Sequence, residues 1–483
     1  MKKATHYITF ITFSLIALLS SCHKNAYYQI DPDNPSVGDP ALLLTGIQIS
    51  VFNITHTDYS YVDRHLAYYE RTSESMTYNW GTGSYNNYNI LRNVQEMAKN
   101  GNDNYKALAK FFRAVLFSQL TETFGDIPYS EALRGHEGLA TPKYDSQKEI
   151  YLGLLAELEE ANNMLSSANG PITGDIIYGG RPDPVLQWKK LINAFRLRLL
   201  IHLSKKENDP DLNIKQQFQS IISNPTKYPL MNDNNDNGQI VYNTSATNNS
   251  YPTFHHISFA TSVSMEKNFV NMLKDFQDPR LFSFAEPVSG RPANEFSSYD
   301  GVDGGLTLAE MQLTSASASR IKSRYHQNQV NEPTIFLGYA EQEFLIAEAI
   351  ERGWISGAGA AKQHYDNGIT ASMAFYNITG GDVTTYLSNP GVAYNSATGL
   401  SQIAKQKYIA FFMNSGREAF FEQRRTGIPT LSVGPGTLNN GMVPKRWRYP
   451  ANEFTINKEN VEDAVNRQFN GNDNINSIMW LIQ

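Results

Sequence analysis

Apolar residues recur at helical spacing along much of the chain. In Tyr105–Phe124, Leu108, Phe111, Phe112, Val115, Leu116 and Leu120 follow the rhythm of a helix with one buried face. Gly125-Asp126-Ile127-Pro128 stops it. Ser146 and Glu149 form a capping-box pair that opens a second helix. That helix continues through Ile150, Leu154, Leu155, Leu158, Ala161 and Leu165, and Gly170-Pro171 ends it. A third is predicted over Pro184–Leu203, with Leu186, Trp188, Leu191, Ile192, Phe195 and Leu199 inward. Further helical patterns cover Gly338–Arg352, Ala360–Tyr376 and Ser401–Gln423.

The polar stretches between them read differently. Residues 223–260 hold many Asn, Ser and Thr, and 283–335 are rich in Gly, Ser and Pro, so both are expected to be irregular. The tail from Val443 to Gln483 is mixed and expected to be mostly loop. Strand-like runs such as Gln239–Tyr242 are short, and no βαβ alternation is present. The expected class is mainly α: a tetratricopeptide-like helical-repeat scaffold with long irregular loops and few short strands. No clean internal repeat is visible in the sequence.

Composition narrows the function. The 483 residues carry 41 basic and 47 acidic side chains, a net charge of −6. No basic excess exists to neutralise phosphates, which argues against nucleic acid as a partner. The one cysteine excludes an intrachain disulfide and thiolate metal clusters. That cysteine is Cys22. Lys2 and Lys3 precede a mostly apolar run from Tyr7 to Leu19, too short to span a bilayer with margin. Leu19-Ser20-Ser21-Cys22 then resembles a lipobox, so residues 1–21 read as a lipoprotein signal peptide and Cys22 as the lipid attachment point. Residues 22–40, polar and carrying three prolines, read as a tether. The rest, 41–483, reads as one domain. Its helical scaffold lies mainly in 95–205, 337–378 and 400–424, and its variable ligand-binding loops mainly in 223–335.

Motifs for catalysis are missing. There is no H-E-x-x-H, no phosphate-binding P-loop and no G-x-S-x-G elbow. Asp233, Asn235 and Asn237 fit the first half of an EF-hand loop, but Thr244 stands where the bidentate Glu is needed. They are at best a weak calcium candidate beside the simpler reading, an Asn-rich turn. Glu70 and Glu74 are spaced to share a helical face, which is more often solvated than catalytic.

Aromatic clusters carry more information. Tyr78, Trp80, Tyr85 and Tyr88 fall among Asn79, Asn86, Asn87 and Asn89, with glycines at 81 and 83. Aromatic faces flanked by amides suit a sugar ring, which offers apolar C–H faces and hydroxyl edges. Phe296, Tyr299 and Tyr325 form similar patches in the long loops. The alternative for each ring is packing in the core.

Taken together, these segments resemble the SusD/RagB family of nutrient-binding outer-membrane lipoproteins. The lipobox is followed by Asp31-Pro32-Asp33-Asn34-Pro35. The helix from Ala109 through Arg113 to Phe124, with its Gly125-Asp126-Ile127-Pro128 exit, is similar to the family's most distinctive segment. Thr141–Asp145 with Ile150-Tyr151, Trp188–Arg198, Tyr339–Ala349, Gln406–Ala410 with Arg424–Pro429, and Arg446–Glu453 complete the series in order.

The resemblance implies a tetratricopeptide-like scaffold overlaid by a less regular ligand-binding part. It implies that Arg113, Arg198, Glu341 and Glu348, on otherwise apolar helices, are paired structural charges. It implies a SusC-like TonB-dependent transporter as partner, an oligosaccharide ligand, no enzymatic activity and no cofactor. It also implies a lipid-anchored position on the outer membrane, facing the cell exterior. His23-Lys24-Asn25 after the cysteine are not the acidic residues that exported lipoproteins often carry there. The expected glycan site comprises Tyr78, Asn79, Trp80, Tyr85, Tyr88, Phe296, Tyr299 and Tyr325, and replacing Trp80 with Ala is expected to weaken binding without unfolding. Peptides in place of sugars, a protein-binding scaffold and, last, a surface glycosidase with two facing carboxylates are the competing readings.

Overall fold

Helices dominate because the amphipathic segments find one another across short connections. The computed structural model describes residues 38–54, 57–245, 249–357 and 359–483. The leader, Cys22 and the Asp31–Pro35 segment lie outside them. The first helix, α1 (Pro40–Phe52), starts on a proline, whose fixed φ and missing N–H suit a first turn. The next two, α2 (Asn87–Asn100) and α3 (Asp103–Phe124), are joined by Gly101 and Asn102. Asn102 caps α3, its side chain accepting from the N–H groups of Asn104 and Tyr105. This tight connection folds α3 back on α2. Gly125, at φ 90°, ends α3 in a conformation that a β-carbon would strain.

The fourth helix, α4 (Gln147–Met164), opens with the capping box formed by Ser146 and Glu149 and packs on α3. Its neighbour α5 (Pro184–His202) lies against α4, with Trp188, Leu191, Phe195 and Leu199 buried. Two shorter helices follow, α6 (Ile214–Ser223) and α7 (Lys267–Asp275). The pair α8 (Tyr339–Glu351) and α9 (Ala361–Phe375) resumes the hairpin pattern, and α8 also contacts α5. The chain closes with α10 (Gly399–Ala410), α11 (Glu418–Thr426) and α12 (Lys458–Phe469).

The strands are short. Two antiparallel pairs occur among the described residues: β1 (Leu66–Tyr68) with β3 (Val263–Met265), and β2 (Gly238–Ile240) with β4 (Thr334–Leu337). The expected class, mainly α with a tetratricopeptide-like scaffold, is the one observed.

The charged residues on apolar helices are paired. Arg198 meets Glu341 at 2.6 Å, Arg425 meets Glu348 at 2.6 Å and Glu422 at 2.7 Å, and Arg113 meets Glu157 at 3.2 Å. Lys407 reaches Glu422 at 2.7 Å. His202 bridges Glu122 (2.8 Å) and Glu418 (3.0 Å), and Arg424 closes on Glu122. Burial alone would lower the pKa of His202, but the Glu418 and Glu122 carboxylates outweigh it and hold it at about 10. Burial would raise Glu122, but His202 and Arg424 keep it below the ordinary carboxylate range.

Two expectations fail. The pattern over Ser401–Gln423 is two helices, α10 and α11, separated by a turn in which Met413, Ser415 and Gly416 have φ of 57°, 60° and 62°. Strand β4 holds that turn: the Ser415 N–H donates to the Ile335 carbonyl (2.8 Å), and the Asn414 side chain accepts from the Ile335 N–H (2.9 Å). Phe411, Phe412 and Met413 stay apolar because they are core residues, so the hydrophobic run hides the break. The tail is also less irregular than expected, since α12 buries Val461, Ala464, Val465 and Phe469.

The weak calcium candidate is a turn. Asp233 accepts from the Asn235 N–H (2.7 Å), and Asn237 accepts from the Tyr339 N–H (2.8 Å). Asp236 between them pairs with Lys190 at 2.7 Å. The Asp233, Asp236 and Asn237 side chains serve the local backbone and α5. Among the described residues no group of three His, Cys, Asp or Glu side chains is placed to hold a metal.

Candidate functional site

A cleft of about 430 Å³ opens where α1, α2, the C-terminal end of α3 and the start of α11 meet. This volume lies within the ~300–1,000 Å³ range of small-molecule sites. One wall is the segment before α2. Thr82, Gly83, Ser84, Asn86 and Asn87 line it, with Gln119 and Thr123 of α3 below. Gly83 lies so close to Phe124 that a β-carbon there would sit 2.4 Å from the ring. Its N–H donates to the Arg448 carbonyl (2.8 Å), and the Trp447 N–H donates to the Thr123 carbonyl (3.0 Å). These backbone bonds fasten the 82–84 and 447–448 segments to each other and to the end of α3. The Asn87 amide donates to Gln119 at 3.0 Å, so both side chains are oriented towards each other.

Another part of the cleft is aromatic and cationic. Tyr59 and Trp447 line it, and the Arg417 guanidinium lies 4.8 Å from the first ring and 4.7 Å from the second. Arg417 also donates to the Thr123 hydroxyl at 2.9 Å. Trp447 is fixed from behind by Trp80, stacked at 3.9 Å with planes 14° apart. Glu418 is the one carboxylate that lines the cleft, and it is engaged by His202 and, at 3.6 Å, by Arg198.

The aromatic residues expected to form the glycan site do not come together. Tyr78 and Trp80 are buried, Tyr78 donating to the Val62 carbonyl (2.8 Å) and Trp80 wedged between Phe420 and Trp447. Tyr85 and Tyr88 are half-buried against Phe124 and Phe117 of α3. Their hydroxyls donate to Tyr144 (3.2 Å) and to the Pro128 carbonyl (2.5 Å). Phe296 and Tyr299 pack on Phe282, and Tyr299 is buried. Tyr325 is buried beneath Arg324, its hydroxyl donating to Glu332 at 2.9 Å. Of the eight, Asn79 is the exposed one, and it does not line the cleft. The rings are core because this chain has enough aromatic mass to build its interior from them, and a buried ring gains more than an exposed one.

The segment singled out in the sequence nevertheless borders the cleft. Its contribution is the amides and hydroxyls between the rings, not the rings themselves. Tyr59, Arg417 and Trp447 were missed. The signal for Arg417 was the Asn414-Ser415-Gly416 turn inside an apparently continuous helix. A second, shallower depression of about 150 Å³ joins Met76 and Thr77 to Leu306, Met311 and Leu438, and it is mostly apolar.

The geometry is that of a helical-repeat scaffold carrying an open, amide-lined cleft whose one lining carboxylate is engaged by cations. The chain belongs to the SusD-like family, described as starch-binding and associating with the outer membrane, whose model matches residues 32–450. Comparison with curated proteins finds no match. Among solved structures, a SusD homolog of Bacteroides fragilis is 38% identical with a TM-score of 0.84, covering 92% of this chain and 99% of its own. A second SusD homolog from the same species is 31% identical with a TM-score of 0.85, covering 92% and 100%. A chitin-binding protein is 26% identical with a TM-score of 0.74, also covering 92% and 100%. Among the described residues no helix is long and apolar enough to cross a membrane.

Proposed function

We propose that the protein captures oligosaccharides at the outer membrane in the cleft between α1–α3 and α11, and delivers them to a SusC-like TonB-dependent transporter. Lipid on Cys22 would hold it there, displayed to the cell exterior. The observation that carries this reading is the composition of the cleft. Amides and hydroxyls (Thr82, Ser84, Asn86, Asn87, Gln119) line it together with the Tyr59 and Trp447 rings. Such a lining offers hydrogen bonds to sugar hydroxyls and apolar surface to ring C–H groups. The chitin-binding relative supports a glycan as ligand.

Capture without hydrolysis is the reading for the chemistry. A glycosidase of the usual kind needs two carboxyl groups about 5–9.5 Å apart across the scissile bond. Here Glu418 is the sole carboxylate on the cleft wall, and its charge is committed to His202 and Arg198.

The test is calorimetric titration of the purified full chain against an oligosaccharide panel, with Asn86→Ala and Tyr59→Ala beside it. Saturable binding is expected, weakened about tenfold or more by either change with the melting temperature held, and no product should accumulate. Undiminished binding by both variants would move the site elsewhere. Co-purification of the lipid-anchored chain with a β-barrel transporter tests the delivery step.

A further inference from the structure

Half-buried Arg417 differs from the buried arginines. Arg198, Arg280, Arg424, Arg425 and Arg446 each lie in an ion pair with a carboxylate. Arg64 has no carboxylate but spends its guanidinium on the carbonyls of Ser432, Tyr61 and Met76. Arg417 has neither. Its one hydrogen bond is to the neutral Thr123 hydroxyl, its Nε is buried without a partner, and no carboxylate of the described residues lies within ion-pair distance. Tyr59 and Trp447 hold the guanidinium in place at the wall of the cleft.

The charges around it do not supply the missing anion. Three charged side chains line the cleft: Arg198, Arg417 and Glu418. The Glu418 carboxylate turns to His202 (3.0 Å) and Arg198 (3.6 Å). Arg198 is neutralised by Glu341 (2.6 Å) and Glu418 is engaged by His202, so among the described residues Arg417 is the charge on the cleft lining with no opposite charge within ion-pair distance. A guanidinium packed against two rings, with donors to spare, suits a planar anion that it can bind side-on.

We propose that the ligand is an acidic oligosaccharide, and that Arg417 reads the carboxylate of a uronic-acid residue while Asn86, Thr82 and Ser84 bond the neighbouring hydroxyls. This rests on the cleft being the oligosaccharide site. Neutral glycans would leave the guanidinium desolvated and unpaired, which is a penalty against them as well as a missed gain. The overall negative charge of the chain would not steer such a ligand, so selectivity must come from the local pairing.

An array carrying both neutral and uronate-bearing oligosaccharides, followed by titration of each hit, tests this with the full chain. The expected hits carry carboxylates. Reduction of the carboxyl to a hydroxymethyl group should cost at least tenfold in affinity. Arg417→Met should erase the difference between the acid and its reduced form, and Arg417→Lys should restore part of it. Circular dichroism and melting temperature show that the variants are folded. Neutral hits, or a reduced ligand bound within twofold of the acid, would overturn the inference and leave oligosaccharide capture standing. So would an Arg417→Met protein that still prefers the acid. An array with no hits would overturn capture itself, and the inference with it.

Discussion

Two neighbouring regions use the same residue type for opposite ends. In the buried girdle between α3, α5, α8, α10 and α11, Arg198, Arg424 and Arg425 are paired with Glu341, Glu122, Glu348 and Glu422. About two helical turns before Arg424, on the lining of the cleft, Arg417 is held by aromatic rings and left without a carboxylate. The difference teaches that a charge in this fold is structural when the scaffold supplies its partner, and available when it does not. Removing one member of the girdle strands its partners in a low-dielectric interior, where charges are costly. Removing Arg417 strands nothing.

The comparison can be broken most forcefully at Arg425. Arg425→Met removes the guanidinium between Glu348 and Glu422 and leaves Arg352 (2.9 Å) on the first and Lys407 (2.7 Å) on the second, and we expect a loss of about 3–5 kcal/mol of stability in denaturant unfolding. A loss under ~1 kcal/mol would mean that the girdle is not structural. Trp80→Ala should follow closely. It removes a buried ring from between Trp447 and Phe420 and is expected to cost about 3–5 kcal/mol. Weaker binding in that variant would then reflect a displaced Trp447 and a loosened fold, contrary to the expectation that Trp80 meets the ligand directly.

The pH profile sharpens the contrast next. His202, raised to about 10, contributes stability that is fully present below its unfolded value near 6.5 and lost as pH rises towards 10. Glu122, held below its ordinary value, contributes stability present above about 4.5 and lost as pH falls. Stability should therefore be greatest between about pH 4.5 and 6.5. It should decline on the alkaline side by a few kcal/mol, and His202→Gln should flatten that limb. A wild-type melting temperature constant from pH 6 to 9.5 would refute this. The smallest effect is expected at Arg417, where Arg417→Met should change stability by no more than about 1 kcal/mol while it changes ligand preference. A large loss of stability there would place Arg417 in the girdle after all.

Much of this was legible from residue order. The helices over 103–124, 147–164, 184–202, 339–351 and 361–375 follow from apolar spacing, from the Ser146–Glu149 box and from Gly125 as a stop. Those signals act within a few residues of the chain, so a linear reading can find them. Apolar helices bearing Arg198, Glu341 or Glu348 likewise announce that partners must exist, because unpaired burial is too costly.

The sequence by itself thus determined the class of fold and the need for buried ion pairs, and it singled out the 78–88 cluster as a candidate site. The tertiary structure alone decided which face of that segment mattered. Its rings went inward to meet Phe124, Trp447 and Phe420, brought from elsewhere in the chain, and its amides were left at the cleft. It also decided that Arg198 would pair with Glu341, at a separation of 143 residues, and that Arg417 would not pair at all. Partner choice and exposure depend on which distant segments pack together, and local periodicity carries no record of that.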